Sequence, residues 1–231
     1  MPNPITAEIV EARMRDLAQT TVNQTVSLFK GATFALAAVL LLEILAQPEG
    51  RVLRLVLWVS SFALALTSYN AYLNTSVIDF RESVASITMI IVHMMTELVL
   101  FAALAPRYNE QVWRFWVAIY ALFMFLTATR MLFFGMNRGL DTGPNLKPML
   151  DAVETQRRRN SWRMVIFAAV SAPVAAAIIL LPLESGWPIG LAIGFAAFGT
   201  LYSLLGLAGM HQQRLMMERL LDEALAKEKI S

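Results

Sequence analysis

The stretch VASITMIIVHMMTELVLFAAL, residues 84–104, decides how this chain is read. At 1.5 Å per helical residue it is long enough to cross a hydrocarbon core about 30 Å thick. Only two of its side chains ionise, His93 and Glu97, and no Gly or Pro interrupts it. Such a run is a transmembrane-helix candidate. His93 and Glu97 are four positions apart and share one helical face, which Ser86 and Ile90 extend. A charge facing lipid is costly, so this face meets either protein or water. Two readings follow: the stripe lines a hydrated path, or His93 donates to the carboxylate and the pair glues neighbouring helices.

Working outward, five further apolar runs appear, at about 29–46, 52–73, 112–134, 163–181 and 187–210. The first stops at the breaker Gln47-Pro48-Glu49-Gly50. The run at 112–134 opens with Trp113, Trp116 and Tyr120, amphipathic rings suited to a headgroup boundary. The run at 163–181 contains Pro173. The predicted fold is all-α, a polytopic transmembrane helical bundle of about six spans with helical extensions at both ends. Residues 1–28 read as an amphipathic helix through Ile5, Ile9, Met14 and Leu17, with Glu8, Glu11, Arg15 and Asp16 between. Residues 135–162 read as a polar connection holding a short helical pattern. Residues 211–231 read as a charged helix with Arg214/Glu218, Arg219/Glu223 and Glu223/Lys227 four apart.

Composition agrees. The chain is 57% hydrophobic and 16% charged, against about 45–50% and 25% in soluble domains. It has no cysteine, which excludes disulfides, thiolate metal sites and cysteine nucleophiles. The first 26 residues carry Glu8, Glu11, Arg13, Arg15 and Asp16 with no A-x-A pattern, so no secretory signal is read there.

Orientation comes from Lys and Arg near span ends. With the N-terminus inside, fourteen lie on the cytoplasmic side: Arg13, Arg15, Lys30, Arg81, Arg138, Lys147, Arg157, Arg158, Arg159, Arg163, Arg214, Arg219, Lys227 and Lys229. Four lie outside: Arg51, Arg54, Arg107 and Arg114. Both termini are therefore expected in the cytoplasm, in the plasma (inner) membrane of a bacterium. The net charge of +2 reads as topology rather than a nucleic-acid footprint.

Besides His93 and Glu97, the ionisable residues within spans are Glu43, near the outer end of span one, and Arg130, about one turn from the inner end of span four. Arg130 either snorkels or pairs with a carboxylate or anion. Asn70, at the inner end of span two among Thr67, Ser68, Tyr69 and Tyr72, is expected to join a polar inner mouth with it. The run Arg157, Arg158, Arg159 with Arg163 is expected to contact anionic lipid or a regulator. Gly190 and Gly194 form a G-x-x-x-G, expected to pack either spans five and six or two subunits.

No phosphate-binding loop, dinucleotide fingerprint or H-E-x-x-H occurs. The two histidines, His93 and His211, sit at different depths, which argues against a bis-histidine haem. With Lys30 read as a boundary charge, no lysine lies deep in a span, so a Schiff base is not expected. Neither enzymatic activity, cofactor nor metal is expected. The leading expectation is a homo-oligomeric ion channel or pore-type effector lined by span three. The alternative is a non-conducting scaffold, assembly or sensor subunit docking a cytoplasmic protein or small-molecule regulator, and the third is a proton-coupled carrier.

Overall fold

The computed structural model describes residues 7–76, 84–105, 112–133 and 147–228. These form six long helices: α1 (Ala7–Ala46), α2 (Arg51–Ser76), α3 (Val84–Ala102), α4 (Trp116–Phe133), α5 (Lys147–Leu180) and α6 (Trp187–Glu228). Their ends follow from the breakers. Pro48 stops α1, and Gly50 takes φ 64°, a left-handed conformation that favours glycine, before α2 begins. Pro182 ends α5, and Gly186 at φ 69° donates its N–H to Leu183 O at 3.0 Å. Pro188 then sits in the first turn of α6, where a missing N–H costs nothing.

Five helical stretches are long and apolar enough to cross a membrane: Val22–Ala46, Arg51–Leu73, Val112–Thr129, Glu154–Leu180 and Trp187–Leu220. The apolar part of α3, Thr88–Ala102, is shorter. It is extended by a tightening turn in which Ala103 and Leu104 bond back to Val99 and Phe101. The outward faces are apolar too: Leu28, Val52, Ile166, Leu180 and Leu205 are each more than 60% exposed. Side chains so placed on most of the helices suit lipid, not water. The chain is a multi-pass helical membrane protein.

The amphipathic segment runs on into the first span as one unbroken helix of 40 residues, and two expected boundaries move. Residues 147–162, expected to be part of a polar connection, are instead the start of α5, and the remainder of that connection lies outside the described residues. The C-terminal charged helix continues α6 without a break. Helical propensity does not stop where apolarity does, and Lys, Arg, Glu and Gln are good helix formers.

Consecutive helices alternate in direction. Lys30 on α1 meets Ser68 on α2, while Ala37 meets Trp58. Likewise His93 on α3 meets Thr127 on α4, and Arg114 meets Ile178 at the far end of α5. The main core gathers Leu57, Leu100, Trp116, Tyr120, Phe123, Phe167 and Ile178 among α2 to α6. Two smaller clusters lie under α1. One holds Val22, Val26, Tyr72, Ile90 and Met94, and the other Ala37, Leu40, Ala65, Phe101 and Ala105. Between them the buried face of α1 carries Lys30 and Thr33.

Candidate functional site: a buried ion pair between three helices

The buried positions of α1 run Val22, Val26, Lys30, Thr33, Ala37, Leu40 and Ile44. These are the three- and four-residue steps of a single helical stripe. Lys30 occupies a core position of that stripe, eight residues or about 12 Å inside the apolar stretch that starts at Val22. Its exposure is 3%. It is no boundary charge, and the expectation that no lysine lies deep in a span is corrected here.

Glu97 on α3 is 1% exposed. The Lys30 ammonium stands 2.6 Å from its Oε1 and 2.5 Å from its Oε2. The same ammonium lies 2.5 Å from Ser68 Oγ and 3.5 Å from Ala65 O, both on α2. Ser68 Oγ in turn donates to Glu97 Oε1. An ammonium has three donors, and here they face the carboxylate, a hydroxyl and a carbonyl. The ring Lys30–Ser68–Glu97 therefore ties α1, α2 and α3 together with its charges neutralised.

His93 lies one turn before Glu97, but its Nε2 is 3.9 Å from Oε1, too far for a hydrogen bond. Its Nδ1 is 3.2 Å from Thr127 Oγ1 on α4, and its ring centroid is 3.9 Å from that of Phe123. Thr127 spends its own proton on Phe123 O at 2.9 Å. With that proton used, Thr127 Oγ1 can accept from His93 Nδ1, and Nε2 is the ring nitrogen on the Glu97 side. The direct His–Glu bond of the packing reading is replaced by the Lys30 bond, and His93 instead meets Thr127 on α4.

The other expected site residues fall elsewhere. Asn70 is exposed and donates to its own helix at Leu66 O, 2.9 Å away, so it takes no part in this centre. Glu43 is half-buried on α1. The side chains of Arg130 and Arg157 are outside the described residues. Arg158 and Arg159 are exposed, the former paired with Glu154 at 2.9 Å, and Arg163 is exposed as well. Gly190 and Gly194 are exposed with nothing within 4 Å of where a Cβ would stand, so neither packs α5 on α6.

Lys30 and Ser68 are the members that sequence reading missed. Their signal was present: Lys30 is in phase with the buried apolar positions of α1, and a midspan carboxylate calls for a cation.

Two arginines expected on the outer side also have structural work. Arg54 is 9% exposed and donates to Leu104 O at 3.0 Å. Arg114 donates to Ile178 O at 2.8 Å and to Leu181 O. Both place a cation on carbonyls at the C-terminal end of a helix, where the dipole is negative.

Among the described residues no group of three or more His, Asp or Glu could hold a metal ion. No protein-family model matches this chain, and comparison with curated proteins and with solved structures finds no match for it.

Proposed function

We propose that this membrane protein is a proton-coupled carrier whose exchange centre is the Lys30–Glu97 pair, with His93 delivering the proton. The observation that carries this reading is a carboxylate buried in a span, neutralised by lysine and serine on one side, with the His93 ring 3.9 Å away on the other. Paired charges inside a membrane mark ion and proton pathways. As packing alone such a pair is a poor device, since well-packed apolar residues in its place are often neutral or more stable. A proton on His93 Nε2 would offer Glu97 a further donor beside Lys30 and Ser68 and loosen its hold on Lys30. The carboxylate could then pass to an incoming cation or proton.

A permanently open pore along α3 fits less well, because Glu97 is turned against α1 and α2 rather than toward an opening. In this reading the protein is non-enzymatic, resides in the bacterial plasma membrane and keeps both termini in the cytoplasm.

The test uses purified protein in liposomes loaded with a pH-sensitive dye, under an acid jump and imposed Na⁺ or K⁺ gradients. Wild type should move protons faster than protein-free liposomes, Glu97→Gln should abolish the movement, and His93→Gln should slow it. Flux no higher than that of protein-free liposomes under every gradient overturns the reading, as does full flux in Glu97→Gln. Stepwise conductance in planar bilayers would assign the homo-oligomeric pore instead.

A scaffold or sensor role draws on one separate observation. α5 and α6 have 34 and 42 residues, about 51 and 63 Å, well beyond a 30 Å hydrocarbon core. The polar start of α5 and the polar end of α6 would then stand beyond the hydrocarbon core and offer a platform for a cytoplasmic partner. Mass measurement in nanodiscs separates this from the carrier: a scaffold is retained with other chains, a carrier as itself.

A further inference from the structure

Away from the ion pair, three helices bury a hydroxyl at one point: Ser60 on α2, Tyr120 on α4 and Ser203 on α6. Their residues are 0%, 0% and 1% exposed. Both serines neighbour the Tyr120 hydroxyl, yet none of the three oxygens meets a partner at hydrogen-bond geometry. The neighbouring hydroxyls behave differently. Ser61, Thr67, Ser171 and Thr200 each return their proton to the carbonyl four residues back, at 2.6 to 3.0 Å. Ser60 and Ser203 decline that ordinary helix bond and turn inward.

Gly199 lets α6 come close here. A Cβ on it would stand 2.8 Å from the Tyr120 hydroxyl and 3.1 Å from Ser60 Oγ, so only glycine admits both oxygens. One helix turn further along, Thr67 on α2 reaches Ser203 O at 3.2 Å and holds the two helices in register.

We propose that Ser60, Tyr120 and Ser203 form a binding site for one internal water molecule that bridges α2, α4 and α6. The chemistry favours water over other small ligands. A buried water typically makes about three hydrogen bonds to groups otherwise unsatisfied, and three hydroxyls supply that number. Three neutral hydroxyls are too few oxygens for a dehydrated cation, which takes about six. Within a bilayer no bulk solvent is at hand to satisfy these groups, and the three hydroxyls, close together but short of full hydrogen-bond geometry with one another, would each gain a partner from a resident water. The site is independent of the carrier reading, because it shares no residue with the Lys30–Glu97 centre.

The test is radiolytic hydroxyl-radical labelling of the full chain in nanodiscs, read by mass spectrometry after rapid mixing with ¹⁸O water. Radicals form at bound water, so Tyr120 should be oxidised several-fold faster than Phe101, which is as deeply buried but apolar in its surroundings. In the Ser60→Ala/Ser203→Ala variant the Tyr120 rate should fall to that of Phe101. A wild-type Tyr120 rate equal to that of Phe101 means that the hydroxyls bond one another in a dry seam, and overturns the proposal. Labelling that persists unchanged in the double variant overturns it too, since the water would not be held by these groups. Should the double variant fail to assemble, the wild-type comparison decides.

Discussion

Lys30 on α1 and Glu97 on α3 stand 67 positions apart in sequence and meet at 2.5 Å, both side chains nearly sealed from the surroundings. The contact joins two helices that are not consecutive, and Ser68 brings the helix between them into the same ring. His93, one turn earlier on α3, stands 3.9 Å from the same carboxylate.

Removing one charge should cost far more than removing both. Lys30→Met or Glu97→Leu alone leaves the other ion buried without its partner, which should destabilise the fold by about 3–5 kcal/mol. The Lys30→Met/Glu97→Leu double variant replaces the pair with apolar side chains and should come within about 1 kcal/mol of wild type or above it. Denaturation in detergent micelles reads all three. Additive losses in the double variant would mean that the pair is not coupled as the distances indicate.

Arg114 should act as a cap on α5 through its fork of donors. It holds Ile178 O and Leu181 O together, which a single ammonium reproduces poorly. Arg114→Met should lower stability by about 1–2 kcal/mol, with Arg114→Lys recovering only part of it. Amide exchange should quicken at the α5 end, residues 178–183, and stay slow near Lys30. Exchange rising equally everywhere would point to global loosening and not to a lost cap.

The helices were legible because apolar runs and breakers mark them directly. Gln47-Pro48-Glu49-Gly50 and Pro182 through Gly186 end helices where the sequence places them. The centre was half legible. His93 and Glu97 share a face by spacing alone, but their partner lies on another helix, and helix-to-helix contact is set by tertiary packing. Lys30 was hidden by a sound rule misapplied. A lysine near the start of an apolar run usually marks its edge, whereas here the helix and its buried stripe begin earlier, at Val22 and Val26. The polar start of α5 misled in the opposite way, because Arg157, Arg158 and Arg159 look like a connection by charge yet favour helix by propensity.

Topology can be tested without any assumption about function. With the buried Lys30 set aside, Lys and Arg near span ends divide thirteen to four, and the expectation is that both termini and residues 140–150 are cytoplasmic. Six helices of alternating direction also bring the start of α1 and the end of α6 to one side. Fusions after residue 231 and within 140–150 should be active only with a cytoplasmic reporter. Activity of a periplasmic reporter at either point would mean that one helix, with the short α3 the first suspect, does not cross.

The glycines of α6 should separate packing inside the protein from packing between copies. Gly199 faces the Tyr120 hydroxyl and Ser60, with 2.8 and 3.1 Å left for a Cβ, and the contacting ring is wedged among Trp116, Phe167 and Phe195. Tyr120 has no free direction in which to retreat, so Gly199→Ala should overpack the α2–α4–α6 junction and cost about 1–3 kcal/mol. Gly190 and Gly194 meet nothing within 4 Å, so alanine there should leave the stability of a single chain within about 0.5 kcal/mol of wild type. Their exposed face nevertheless suits close approach by another helix. If copies associate along it, Gly190→Ala/Gly194→Ala should lower the oligomer fraction in nanodisc mass measurements while the monomer's unfolding midpoint holds. Gly194→Leu should abolish that fraction, because a large side chain fills the approach. An oligomer that survives Gly194→Leu unchanged would place the interface on another face of the bundle. A monomer throughout would leave the Gly190/Gly194 stripe facing lipid alone.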